Sequence, residues 1–364
     1  MSAVIKGIVV ALVVLVVGFI AWPSPIDPVS WDPPEPPGMT GALAPNEVLL
    51  EAQLLGQGRI VGPEDTEVDE QGRVYGGLDD GTIVRIDADD NVETFADTGG
   101  RPLGMEFDAE GNLIVADAWK GLLSVSPDGT IEVLTTESDG VPFAFTDDLD
   151  IARDGRIYFS DASDRFNQPE YRLDMLEGRP HGRLLRYDPE TDETETLMED
   201  LHFANGIALS ADESFVLVNE TWRYRIQRYW LDGERAGEAE VFADNLPGFP
   251  DNVARDEDGL FWVAIPTKRL SNVDGLHPYP WLKSLVAKLP QWMQPQPEPY
   301  GLVLAYDEQG HLLGSLHDPS GEHLRMITSV KPRQGALHFG SLYNDRIGRL
   351  DRDRALQALQ QEAQ

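Results

Sequence analysis

Residues 147–163 read D-D-L-D-I-A-R-D-G-R-I-Y-F-S-D-A-S. An acidic turn ending at Gly155 separates two short β-patterned runs, and Asp147 stands eight positions before that glycine. Glycine accepts positive φ and aspartate bonds its own backbone, so the stretch predicts a β-hairpin. The same beat recurs at Gly72, Gly111, Glu213, Gly259 and Gly335, with Glu213 at a position where glycine is expected. Successive centres lie 39, 44, 58, 46 and 76 residues apart. Later β-patterned runs begin at Gly81, Gly121, Gly182 and Gly301. Four strands per repeat, at a period of roughly 40–50 residues, predict a propeller blade, because such a sheet buries both faces only against neighbouring blades. The expected fold class is all-β, a six-bladed β-propeller; the regular phase disfavours the alternative, a β-sandwich with hairpin turns. The last repeat runs into a helical-looking segment after Leu350, so residues 48–55 are expected to supply its outer strand and close the ring.

Counting back eight from each centre gives Glu64, Leu103, Asp147, Asn205, Asp251 and Ile327, with Asn252 beside Asp251. Equivalent positions in successive blades form a ring around the channel, so four oxygen donors are expected to face one another. Crowded carboxylates repel strongly in a partly desolvated channel, and a hard divalent cation relieves that repulsion. Oxygen ligands without Cys or His favour calcium over zinc. The alternative is that these residues merely start hairpin strands and cap exposed backbone groups.

At these residues the chain resembles a known family. The strings G-P-E-D-T-E-V-D (62–69), A-D-A-W-K-G-L (116–122), the stretch 147–163, H-G-R-L-L-R-Y-D-P (181–189), F-A-N-G-I-A-L-S (203–210) and P-G-F-P-D-N-V (247–253) are similar to strictosidine synthase-like proteins, in particular the adipocyte plasma membrane-associated branch. The resemblance covers about residues 45–350. It implies a six-bladed propeller related to gluconolactonases and paraoxonases, with one axial calcium ion. It also implies metal positions at Glu64, Asn205, Asp251 and Asn252. Asp147 departs from the pattern, because the family more often has Asn there. Segment 328–335 lacks the glutamate of true strictosidine synthases, and 117–119 lacks a histidine of the paraoxonase dyad. Pictet–Spengler condensation is therefore unsupported.

The activity expected is metal-assisted hydrolysis of a small-molecule ester or lactone, with calcium stabilising charge that develops on the carbonyl oxygen. Asp251 is the first candidate for general base or nucleophile, and Asp147 the second. Asp161, Asn219 and Glu220 end the following strands and are read either as supports for the site or as strand caps. His202 lies three residues before Asn205 and is read more readily as a packing or surface residue than as a catalyst. The rival function is a non-catalytic propeller in which calcium is structural and one face binds a ligand or partner.

An apolar run covers residues 7–22, extended upstream by 3–5, which suits a membrane anchor or an uncleaved signal. Membrane attachment through residues 3–22 is expected. Lys6 precedes the run, and Asp27, Asp32 and Glu35 follow it, so the positive-inside rule places the propeller on the extracytoplasmic side. Residues 23–37 hold seven prolines and predict a stiff spacer lifting the propeller off the bilayer. The domains expected are thus an anchor at 1–22, a linker at 23–44, a propeller at 45–352 with a lid-like insertion at 267–300, and a helical tail at 353–364. With no cysteine the chain has no disulfide, and a net charge of −34 argues against nucleic acid as a partner. The acid surplus suits solubility at high salt. Within 267–297 the local charge is +3, and Trp281, Leu285 and Leu289 fall at helical spacing, predicting a short amphipathic helix. That helix is read as a lid, as a membrane-resting element or as ordinary packing, and the insertion at 163–180 as an opposite wall.

Overall fold

Turn chemistry sets the repeat. At the first hairpin Asp69 Oδ1 accepts the N–H groups of Gln71 and Arg73 while Gly72 takes φ +79°, and the same device recurs at Asp108 with Gly111 and Asp256 with Gly259. Glu213 adopts φ +59° in the glycine position, and its Oε1 accepts the Arg153 N–H of the neighbouring blade. That contact offsets the roughly 1–2 kcal/mol a side chain costs in the left-handed region.

The structure is a computed structural model describing residues 3–362; the ends of the expected anchor and tail, 1–2 and 363–364, lie outside the described residues. Among these residues, six four-stranded antiparallel sheets stand around one axis as a β-propeller. The inner strands of blades 1 to 6 are Thr66–Val68, Pro102–Phe107, Thr146–Ile151, Ala204–Leu209, Val253–Arg255 and Ile327–Arg333. Each packs on the next, and the sixth returns to the first. Blade 6 takes its outer strand, Gln53–Leu55, from the chain ahead of blade 1, where it pairs with Ile347–Asp351. The preceding residues Val48–Glu51 form a 3₁₀ turn rather than more of that strand. Middle strands are buried on both faces, as in Leu113–Asp117 and Phe215–Glu220, because blades stack face to face.

Helix α1 (Ala3–Ala21) is long and apolar enough to cross a membrane, and its residues from Val4 to Ala21 are exposed. The linker is not a free spacer. Ile26 is buried in the main core cluster, the Asp27 and Val29 N–H groups donate to Glu177, and Trp31 N–H donates to His277 O. Arg269 and Asn245 donate to the carbonyls of Pro34 and Glu35. Proline leaves carbonyls without competing N–H groups, so the extended segment is strapped along the propeller instead of holding it away.

Two insertions cover one end of the channel. Blade 3 carries α2 (Tyr171–Glu177), and blade 5 carries α3 (Ser271–Asp274), α4 (Pro280–Val286) and a 3₁₀ turn at Gln291–Met293. Helices α2 and α4 touch, so the insertions form one roof rather than opposite walls. The amphipathic expectation for α4 also needs correction: the sides turned inward carry Lys283 and Ala287, while Trp281 is 64% exposed. Helix α5 (Arg352–Glu362) packs Ala355, Ala358 and Leu359 on the outside of blades 5 and 6.

Candidate metal centre and its cavity

Four of the six inner strands, those of blades 2, 3, 4 and 6, enter through the same local irregularity. One-residue bulges fall between Pro102 and Met105, Thr146 and Leu149, Ala204 and Ile207, and Ile327 and Ser329. A bulge re-aims the side chain within it, here toward the channel mouth. Leu103, Asp147, Asn205 and Thr328 occupy the bulges and line the same cavity, together with Glu64 and Asp251 from blades 1 and 5. The sixth position is therefore Thr328, not Ile327. Blade 6 turns through two residues, Gln334 and Gly335, both at positive φ, whereas blades 2 and 3 use five, so counting back eight overshoots by one.

A second device fixes the height of these residues. The acid ending the second strand bonds the N–H just ahead of the inner strand: Asp117 to Arg101, Asp161 to Phe145 and Glu220 to His202, each at 3.0 Å. Asp161 also pairs with Arg183, and Glu220 with Arg225. These acids position the chain and do not line the cavity. Asn219 serves Asp251, donating through Nδ2 to its main-chain carbonyl. Gly206 leaves the same carbonyl room, since a Cβ there would stand 2.5 Å from Asp251 O.

Glu64, Asp147 and Asp251 are buried, and ligand oxygens from the three lie within 4.8 Å of one another. Burial pushes the Glu64 and Asp147 carboxyls well above the usual range, with Asp251 the largest like-charge contributor to each. Burial raises Asp251 to about 7 against the lowering effect of a hydrogen bond with Asn205. Arg101 is the cation whose field lowers Glu64 and Asp147, but its own hydrogen bonds go to the carbonyls of Gly62 and Gly77. Several polar atoms here are buried without a hydrogen-bond partner: Glu64 Oε2, Asn205 Oδ1 and both amide atoms of Asn252. Asn252 does not line the cavity; its N–H donates to Thr328 O. Orphaned oxygens beside clustered carboxylates fit a hard divalent cation, which supplies both the missing charge and the missing partner.

Above this floor lies a cavity of about 140 Å³. Phe145, Phe203 and Phe249, each two residues before a ring position, and Met326, two before Thr328, form a second tier of its wall. All four lie just ahead of their inner strands rather than within them, Phe203 and Met326 at positive φ, so it is the constant offset of two from the ring, not strand alternation, that marks this tier in the sequence. Trp222, Met175, Leu270 and Val273 continue it upward. His202 is absent from the lining; burial, then Arg223, depress its pKa to about 3 and keep it neutral. Trp119, in the segment where a paraoxonase-type histidine would fall, is also outside the cavity.

Comparisons with known proteins follow the same outline. A family model described as strictosidine synthase matches residues 147–234, and one described as strictosidine synthase-like, N-terminal, matches residues 41–86. Adipocyte plasma membrane-associated protein of Rattus norvegicus is 37% identical over 90% of this chain and 93% of its own. Protein strictosidine synthase-like 6 of Arabidopsis thaliana is 39% identical over 83% of this chain and 82% of its own. Among solved structures, a gluconolactonase from Xanthomonas campestris superposes with TM-score 0.61 at 20% identity, covering 91% of this chain and 99% of the other. A calcium-binding regucalcin from Agrobacterium tumefaciens gives TM-score 0.58 at 16% identity, covering 84% and 93%. At such identities the structural likeness speaks for the fold.

Proposed function

This chain belongs to the strictosidine synthase-like family, and we propose that it is a membrane-anchored, calcium-dependent hydrolase of the lactonase or arylesterase type. The observation that carries the reading is the cluster of Glu64, Asp147 and Asp251 within 4.8 Å, beside the orphaned Asn205 Oδ1, on the floor of an apolar cavity. Glu64, Asp147, Asn205 and Asp251, which line the floor, would hold the ion, with Asn252, outside the lining but with both amide atoms orphaned, as the fifth donor. When bound, calcium supplies positive charge that polarises a carbonyl and offsets negative charge developing on its oxygen. Asp251, fixed at its carbonyl by Asn219 and at its carboxylate by Asn205, takes the proton of the attacking water, with Asp147 second for that role. The three phenylalanines exclude bulk water and hold the apolar part of the substrate. The gluconolactonase and regucalcin likenesses support a lactonase-type metal propeller. With Lys6 in the first turn of α1, ahead of its unbroken apolar run, the propeller stands on the extracytoplasmic side.

A binding propeller with structural calcium is the second reading. It is favoured by Thr328, a neutral residue, at the blade 6 position of the ring, and by the lack of a histidine among the described residues that line the cavity. The deciding experiment assays the full chain against aryl esters and lactones, with calcium and then with chelator. Calcium-dependent turnover lost in Asp251→Ala is the expected result. A calcium-induced rise in melting temperature without any turnover would select the binding reading.

A further inference from the structure

The roof of the cavity carries a surface that the propeller does not use. Among the described residues four tryptophans are exposed, and three of them, Trp22, Trp281 and Trp292, lie on the two segments that Lys288 ties together, the end of α1 and the blade 5 insertion; Tyr279 and Met293 are exposed on the same insertion. Trp292 is 77% exposed. Helix α4 turns Lys283 inward and Trp281 outward, the reverse of packing on a soluble core. Such a set of exposed aromatics matches the belt that sits at a membrane–water interface.

Two further observations say what covers it. Helix α1 ends at Ala21 and Ile26 is already buried in the core, so the propeller stands within about 18 Å of the helix end, five extended residues at most. Lys288 Nζ donates to the carbonyls of Phe19 and Ile20 at 3.3 and 3.1 Å, capping the last turn of α1. Lys288 therefore lies level with the end of the apolar span. The same insertion forms the cavity rim: Arg172, which lines the cavity, donates to Gln291 O and Gln296 Oε1, and Pro295 and Pro297 line it too.

We propose that residues 279–297 dock into the lipid headgroup region, so that the cavity opens at the bilayer surface and takes an ester or lactone bearing an apolar chain that partitions into the membrane. The carbonyl reaches the acidic floor while the chain lies along the phenylalanine wall and leaves through the rim. The substrate half rests on the hydrolase reading above; the docking half does not.

The test uses the full chain in phosphatidylcholine nanodiscs. Because the chain has no cysteine, Trp292→Cys labels at one site with bimane, and Trp119→Cys, on an exposed tryptophan outside the roof, is the control. Brominated lipid is expected to quench the label at 292 and not at 119; equal quenching at both, or none at 292, overturns docking. Activity is then measured on lactones of increasing alkyl length. The kcat/KM is expected to rise by about fourfold for each methylene the wall buries, until the cavity is filled. Quenching at 292 with flat chain-length dependence leaves docking standing and overturns the substrate class. Quenching at 292 with no turnover of any ester overturns the hydrolase reading and the substrate class together.

Discussion

Replacing Asp147 with Asn changes one charge in a cluster whose oxygens lie within 4.8 Å, and its effect must reverse sign with calcium. Two ionised carboxylates at 4.8 Å repel by about 3.5 kcal/mol at an effective dielectric of 20. In the metal-free protein that cost is capped, because burial, then the Asp251 charge, hold the Asp147 carboxyl well above its usual range, so that it can retain its proton instead. Asp147→Asn removes this penalty and keeps the side-chain shape, so the chelated variant is expected to be more stable by roughly 2–4 kcal/mol, a rise of about 4–8 °C in melting temperature. With calcium the lost charge counts the other way, and affinity is expected to fall about 10–100-fold, or roughly 1–3 kcal/mol. Thermal melts in chelator and across a calcium titration, with calorimetry for the affinity, read both arms. A variant less stable than the parent in chelator, or one with unchanged calcium affinity, would refute the view that repulsion among these three carboxylates is what the ion relieves.

Two other perturbations test the roof. Lys283 is fully buried, and burial, then Arg223, push its pKa down to about 8; its hydrogen bond goes to Glu177 O, which Val29 N–H already satisfies. Lys283→Met is expected to stabilise by about 1 kcal/mol at pH 7, less than the full desolvation cost because the Glu177 carbonyl and the Glu177 charge compensate part of it, and a lower melting temperature would contradict this. His277 is held neutral by burial, with its pKa lowered to about 3. The unfolded chain binds that proton first, so this residue's contribution is present above pH 6.5 and lost as pH falls below it. His277→Gln is expected to lose about 2 kcal/mol less than the parent between pH 6.5 and 5, measured by denaturant melts; parallel pH profiles would contradict it.

How much of the site was legible follows from which distances the fold holds constant. The step from ring to turn is fixed wherever the turn centre stands four residues past the last paired residue of the inner strand, as after Val68, Ile151, Leu209 and Arg255, and that is why Glu64, Asp147, Asn205 and Asp251 could be read from sequence. It failed at Ile327 because the Gln334–Gly335 turn is tighter, and a glycine alone does not announce loop length. The phenylalanine tier carried a usable signal, the same phase shifted by two. Met175 and Leu270 carried none, since they reach the cavity from insertions whose path depends on tertiary packing, and Trp222 reaches it from the short turn Thr221–Arg223 between two strands of blade 4. The linker misled for a physical reason: proline richness sets backbone stiffness but is silent about whether free carbonyls find donors such as Arg269 and Asn245.

Further down the channel the fold provides its own control on the metal argument. Asp65 stands 3.7 Å from Lys331, and the Met105 N–H donates to it. Glu67 and Glu106 both pair with Arg333. Asp148 and Asp150 accept the N–H groups of Ile207 and Leu209. Both cations come from the inner strand of blade 6, which reads I-T-S-V-K-P-R over Ile327–Arg333 and so places Lys331 and Arg333 deep but Thr328 at the mouth. If acidic positions in the channel merely tolerated mutual repulsion, no such pairing would be needed below. Wherever this sequence commits buried carboxylates to the channel it supplies a counter-charge or a backbone donor, except at the mouth, where Glu64 Oε2 and Asn205 Oδ1 are left without partners. The same strand that neutralises the lower channel leaves the upper ring uncompensated, and an exogenous divalent cation is the group whose charge and coordination number match that deficit.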